Sequence, residues 1–393
     1  MVYKHIVNGK NRNCFIFLFG VCFLYMSMEW IKIKIMNLFP NEKRGKIPFF
    51  VILIFIIFLG GSVWGFKMLF KDAKEQKVQL YFIDMDGKLV GPLPSQRVEF
   101  DDARWRYLLG AEIFRITRRA GTEAPFCGDL VDHKQKGIYR CSSCGLPLFS
   151  SSTKFHSGTG WPSFFAPVAK ENIIERVDLS LGMIRTEILC ARCGAHLGHV
   201  FEDGPKPTGL RYCVNSASLV FSPQSFFDKT TTDGKKLVQA AFAGGCFWGI
   251  QDYFKKVEGV AWAISGYAGG TVPFPTYEEV CSGKTGHVET VYLLYDPTVV
   301  SYSKLLEHFW QIHDPTNDKG QGPDIGPQYR PMIFYYNDEQ QRQALLSKEN
   351  LEKKLYPKKV LTAIVQAGSF YPAEEYHQNY LEKHHLPNSC IRR

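Results

Sequence analysis

Two cysteine pairs, Cys141-Ser-Ser-Cys144 and Cys190-Ala-Arg-Cys193, constrain this chain more than any other feature. In each, a two-residue spacer lets both sulfurs reach one ion, and the following glycine, Gly145 or Gly194, permits the tight turn. Four thiolates make a closed tetrahedral site for Zn²⁺, which supplies folding energy rather than chemistry. The 45 residues between the pairs exceed the usual spacer, so a whole subdomain is inserted there. Two disulfides, or a redox-active C-x-x-C, are competing readings. Neither pair opens a βαβ helix, which counts against the redox reading.

The 393 residues are 45% hydrophobic and 22% charged, which excludes disordered and fibrous classes and fits two or three domains. Eleven cysteines are too few for a disulfide scaffold of this size. The net charge is +9, but residues 1–77 carry 12 Lys/Arg against 4 Asp/Glu. The remainder is close to neutral, so no nucleic-acid partner is expected.

Residues 47–66 run for 20 positions without a charge, enough to span a membrane as a helix anchor. Before it lies a basic region, 1–46, with a shorter apolar stretch at 14–28. That stretch is either a second short helix or sequence upstream of the true start. Lys32, Lys34, Lys43, Arg44 and Lys46 place the intervening segment in the cytoplasm. The rest of the chain is then extracytoplasmic, periplasmic or extracellular. A cleaved signal peptide is the alternative, although no clear A-x-A site follows.

Residues 67–96 read as a tether with one short strand at most, ending in the turn-rich GPLPSQ. From 97 to 221 the chain is rich in Gly, β-branched and aromatic residues with little helical periodicity, which predicts a mainly antiparallel β domain. Residues 222–236 read as a polar linker. From 237 to 393 strands alternate with helices. LVQAAFA is a short strand, FWGIQDYFKKV a helix, HVETVYLLYD a strand, and SYSKLLEHFWQIH a helix opened by Ser303. This predicts a second domain of different fold, an α+β (α/β sandwich) unit.

Cys246 lies between a glycine pair and Phe247-Trp248, at a strand-to-helix junction where unpaired N–H groups and the helix dipole favour a thiolate. Cys213 follows Arg211 by two residues, and that cation would lower its pKa. His196 and His199 could be acid/base groups, structural histidines or metal ligands.

Several strings carry a specific resemblance. KFHSGTGWPSF (154–164), CARCGAHLGHVF (190–201), DGPKPTG (203–209) and RYCVNSASL (211–219) are similar to B-type methionine sulfoxide reductases. GGCFW (244–248), GYAGG (266–270), PTYEEVCSGKTGHVE (275–289) and QYR (328–330) are similar to the A-type enzymes. Together they cover about residues 97–385, and the chain resembles a fusion of a B-type unit with an A-type unit.

The resemblance implies that Cys246 is the A-type nucleophile and Glu289 the proton donor to the sulfoxide oxygen, helped by Tyr277 and Tyr329. It implies that Phe247 and Trp248 cradle the substrate methyl and that Asp324 supports its polar side. In the B-type half it implies Cys213 as nucleophile, His199 and His196 as acids, and Trp161 in the methyl pocket. Arg211 and Asn215 would tune the cysteine and orient the substrate. A-type enzymes take the S epimer and B-type enzymes the R epimer, so one chain would repair both in oxidised proteins or peptides.

Each turnover would leave a sulfenic acid that a second thiol resolves for reduction by a thioredoxin-like protein or another thiol. Thr159 stands where some B-type enzymes place that thiol, while Cys127 matches the place used by others. For the A-type half the candidate is Cys390, although the family's glycine-rich tail is missing. Cys281 is the alternative, otherwise a buried structural thiol. Two rival functions remain. One is a membrane-anchored zinc module that binds protein partners without catalysis; the other is a cysteine hydrolase pairing Cys246 with His287.

Overall fold

Each cysteine pair turns out to be the turn of a hairpin. The computed structural model describes residues 77–388, and there Cys141 closes the strand Gly137–Cys141 before Pro147–Ser150 returns. Cys190 closes Arg185–Cys190 before His196–Phe201 returns. Gly145 and Gly194 take left-handed conformations, with φ of 75° and 69°, and each donates its N–H to the carbonyl of the first cysteine at 2.8 Å. The expected role for both glycines holds.

The two hairpins belong to different sheets. One has three strands, with Gly137–Cys141 between Leu219–Pro223 and Pro147–Ser150. The other has six, ordered Lys154–Phe155, Ser163–Phe164, Arg211–Val214, His196–Phe201, Arg185–Cys190 and Ile173–Asp178. All of these pairings are antiparallel, as the sequence predicts.

Three local expectations need correction. A helix spans Asp102–Arg118, capped by the Asp101 carboxylate on the Arg104 N–H at 2.7 Å. Its apolar period is obscured because Gly110, at φ 74°, breaks the helix and shifts the phase between Trp105/Leu109 and Phe114. The segment read as a tether includes a β-hairpin, Val78–Ile83 with Leu89–Ser95, whose Leu80 and Phe82 enter the core. Asn172 fixes that hairpin, accepting from Tyr81 N and donating to the carbonyls of Tyr81 and Pro147, all within 2.9 Å. The expected linker holds a helical turn, Gln224–Phe227, and buries Phe226 and Phe227.

The second half is the expected α+β unit. Its sheet runs Ala363–Gln366, Met332–Tyr335, Val238–Ala243, Val288–Tyr295, Val260–Ala268 and Tyr371–Pro372, with the first pair parallel. Every residue of Val288–Tyr295 is buried, so both faces of this strand are covered. The longer helices are Phe247–Lys255, Tyr302–Ile312 and Asp338–Leu355, with short ones at Tyr277–Cys281 and Tyr380–Lys383. Ser301, rather than Ser303, caps the second by accepting from the Lys304 N–H at 3.2 Å. Both halves fall in one compact unit. The apolar stretches at 14–28 and 47–66, and Cys390, lie outside the described residues. No described helix is long and apolar enough to cross a membrane.

Replacing Asn172 by alanine strands three backbone groups at the hairpin's root. It should cost about 2–4 kcal/mol, read as a lowered urea midpoint.

Candidate active sites

The four cysteine sulfurs are buried and lie within 4.8 Å of one another. Across the two hairpins, Cys141 Sγ is 3.7 Å from Cys193 Sγ and Cys144 Sγ is 3.6 Å from Cys190 Sγ. A tetrahedron with Zn–S bonds of about 2.3 Å has edges of about 3.8 Å, so the donor set fits zinc. The same spacings are far beyond a disulfide bond of about 2.05 Å.

Cys213 sits on Arg211–Val214 directly across from His199 on the neighbouring strand. It lines a cavity of about 130 Å³ with Trp161, His199, Asn215, Arg185 and Phe201. Burial pushes the Cys213 thiol up, while Thr159, whose Oγ1 is 3.8 Å away, together with Arg211 and Ser163, pulls it back. Arg211 therefore acts in the expected direction, but burial outweighs it. Its guanidinium is held by Asp203 through two 2.8 Å bonds.

The two histidines are separated by depth. His199 reaches the cavity, and its Nε2 meets Asp178 Oδ2 at 2.8 Å. His196 lies behind it, 5.6 Å ring to ring, with Nδ1 on Glu187 Oε1 at 2.6 Å. Burial holds the His196 pKa below the ordinary imidazole value, against the pull of Glu187. Trp161 Nε1 donates to the Glu123 carbonyl at 3.2 Å, and Asn215 Oδ1 accepts from the Glu123 N–H at 3.1 Å. Cys127 is exposed, on a loop whose Phe126 N–H donates to the Gly160 carbonyl at 2.8 Å, next to Thr159 and Trp161.

In the second half, Cys246 is the residue immediately before the helix Phe247–Lys255, as expected. A Cβ at Gly245 would fall 2.6 Å from Gln321, and one at Gly244 would fall 2.9 Å from Phe309, so the elbow needs both glycines. The Phe247 N–H donates to Glu289 Oε2 at 3.0 Å, placing a buried carboxylate at the residue that follows Cys246. Burial, followed by the Glu289 charge, pushes the phenol pKa values of Tyr277 and Tyr329 well up, so both remain O–H donors. Burial raises the Asp324 pKa.

The aromatic pair is less open than its position suggests. Phe247 is buried, and Trp248 stacks on Tyr380 at 3.6 Å while donating Nε1–H to His377 Nδ1 at 3.1 Å. Burial, aided by Arg104, pulls His377 down to about 3, which keeps Nδ1 free to accept. Cys281 is exposed rather than buried. His287 accepts from the Gly270 N–H at 3.1 Å and meets the Val272 carbonyl at 2.8 Å. Both its nitrogens are used by backbone, which removes the proposed partner of a Cys246 hydrolase.

Sequence reasoning missed Asp178, Arg185, Glu187, Glu123, Glu374 and His377. Asp178 and Arg185 are cross-strand partners, as are Glu187 and His199, and such pairings depend on register that no local motif announces. Glu374 is buried, with its carboxylate accepting from the Tyr267 hydroxyl at 2.9 Å and the Tyr277 N–H at 3.0 Å.

Comparison with known proteins agrees with this division. The family described as peptide methionine sulfoxide reductase matches residues 238–393, and the SelR domain matches residues 109–223. The peptide methionine sulfoxide reductase MsrA of Methanothermobacter thermautotrophicus is 55% identical over 146 residues, which are 37% of this chain and 86% of the relative. The MsrB of Thiobacillus denitrificans is 59% identical over 123 residues, 31% of this chain and 93% of the relative. The MsrB of Hahella chejuensis is 58% identical over 125 residues, 32% of this chain and 90% of the relative.

The Arg211–Asp203 pair has a pH signature. Its Asp203 carboxyl is held below its ordinary value of 3.8, chiefly by the bond from Arg211. The pair's contribution is therefore present above pH 3.8 and is lost as pH falls through the depressed folded value. Asp203→Asn should lower the urea midpoint at pH 7, and the gap from wild type should close below about pH 4.

Proposed function

Since the chain belongs to the peptide methionine sulfoxide reductases, a B-type unit followed by an A-type unit, we propose that it divides the two sulfoxide epimers between two cysteine sites. It is an oxidoreductase that reduces methionine sulfoxide to methionine. A non-catalytic zinc module is not favoured. In our reading the B-type site takes the R epimer through Cys213 and the A-type site takes the S epimer through Cys246.

The observation that carries this reading is the bond from the Phe247 N–H to the Glu289 carboxylate, beside two phenols kept protonated. Nucleophile and acid thereby face one position. Glu289, with Tyr277 and Tyr329, protonates and steadies the sulfoxide oxygen while the Cys246 thiolate attacks sulfur. The oxygen passes to the cysteine as a sulfenic acid and the thioether leaves. A second thiol then displaces water and forms a disulfide. In the B-type site His199 supplies the proton, oriented by Asp178, while His196 supports it from behind. Trp161 shapes the methyl pocket, and Arg211 and Asn215 hold the strand and loop around Cys213. Phe247 and Trp248 border the A-type methyl pocket, and Asp324 its polar side.

Cys127 resolves Cys213, supported by its exposed loop against Gly160. Cys390 resolves Cys246, supported by Asn388, whose Nδ2 bonds the Gly249 carbonyl at 2.9 Å on the nucleophile's helix. A thioredoxin-like protein or another thiol then reduces each disulfide. Cys141, Cys144, Cys190 and Cys193 hold one structural Zn²⁺, which supplies cross-linking energy and takes no part in the reaction. The segment 47–66 tethers the enzyme, with its catalytic halves outside the cytoplasm, where they repair oxidised proteins or peptides.

With dithiothreitol and each pure epimer of a blocked methionine sulfoxide, Cys213→Ser should lose R-epimer turnover alone and Cys246→Ser S-epimer turnover alone. Glu289→Gln should lower the S-epimer rate by roughly 10²–10⁴-fold. Loss of both activities from either cysteine variant would refute the two-site reading. Chelation should lower the calorimetric Tm and release zinc; an unchanged Tm would refute the structural role.

A further inference from the structure

The second cysteine knuckle points toward the other half of the molecule. Its third residue, Arg192, is buried, and its Nη2 lies 3.4 Å from the Phe274 carbonyl and 3.5 Å from the Pro275 carbonyl. Those carbonyls immediately precede Thr276, the cap of the short helix that begins with Tyr277. The Tyr277 N–H is itself held by the buried Glu374 carboxylate, which also accepts from the Tyr267 hydroxyl.

Other contacts keep the two halves in register here. Arg104, on the helix Asp102–Arg118, pairs with Glu278 at 3.5 Å, one residue beyond Tyr277. Tyr376, two residues after Glu374, packs into the hydrophobic core of the B-type half, edge-on to Phe100 and Trp105. Phe82 of the hairpin stacks on Phe274 at 4.3 Å. Two arginines of the B-type half, Arg192 and Arg104, thus touch the segment on either side of Tyr277.

We propose that Arg192 is a positioning residue for the A-type site, fixing Tyr277 through the Phe274–Pro275 backbone that leads into its helix. The same knuckle therefore serves two ends: its cysteines cross-link the B-type sheets, and its arginine sets a hydroxyl of the A-type site. This inference rests on the reading of Tyr277 as a group that acts on the sulfoxide oxygen. A misplaced hydroxyl mainly affects the transition state, so the change should fall on kcat rather than on KM.

The test uses the full-length protein and both epimers. Arg192→Met should retain its zinc and its R-epimer turnover, while S-epimer kcat falls about tenfold or more with little change in KM. Arg192→Lys should restore part of that loss. An unchanged S-epimer kcat in a zinc-loaded Arg192→Met protein overturns the proposal. Should Arg192→Met lose zinc, an unchanged S-epimer kcat in zinc-loaded Arg192→Gln overturns it equally. Failure of the underlying reading looks different: full S-epimer turnover in Tyr277→Phe, or none in the wild type.

Discussion

Two hairpin turns separated by 45 residues meet sulfur to sulfur, and the B-type half is organised around that meeting. Cys141 ends a strand of the three-stranded sheet and Cys190 ends one of the six-stranded sheet, so the cluster is where the two sheets join. The strands are short, two of them only two residues, and such strands hold little by themselves. The four sulfurs, buried within the same core as Leu146, Leu148, Ile188 and Leu197, bring the two hairpins together there. The knuckles also fix what lies beside them: Arg118 donates to the Cys193 carbonyl at 2.6 Å while covering the Trp105 ring.

Cys213 and Cys246 acquire their neighbours from different local structure. Cys213 lies within a strand, so a histidine arrives by antiparallel register, with Cys213 opposite His199. Cys246 stands at the head of a helix, and the Glu289 carboxylate arrives from the strand Val288–Tyr295, tied to the helix by the Phe247 N–H. A strand offers a cross-strand neighbour, and a helix start offers unpaired donors. Each setting brings an ionisable group near a cysteine by the means its backbone makes available.

Each carboxylate around the two cysteines meets more than one partner. Asp178, partly exposed, faces both His199 and Arg185; Glu187, buried, faces both His196 and Arg176; and Glu374, buried, accepts from the Tyr267 hydroxyl and the Tyr277 N–H. A buried carboxylate without such partners would be costly, so Glu187 and Glu374 each orient what they bind. The first two meet histidines near Cys213. The third holds the backbone of Tyr277.

Much of the site was legible in the sequence because it is local. The cysteine knuckles, their glycines, the Gly244-Gly245-Cys246 elbow and the change from β to α+β near residue 237 are set by residues adjacent in the chain. Turn chemistry and hydrophobic period act over a few residues, and they can be read from a string. Where local signals conflicted, the reading failed: the helix Asp102–Arg118 is broken in phase at Gly110, and the hairpin at 78–95 is packed rather than free. What only the tertiary structure decided is which distant groups meet. That His199 reaches the cavity while His196 stays behind it, that Trp248 is covered by Tyr380, and that Arg192 meets the Phe274 and Pro275 carbonyls all follow from strand register and the docking of two halves. Electrostatics and packing act between residues close in space, and closeness in space exists only once the chain has folded.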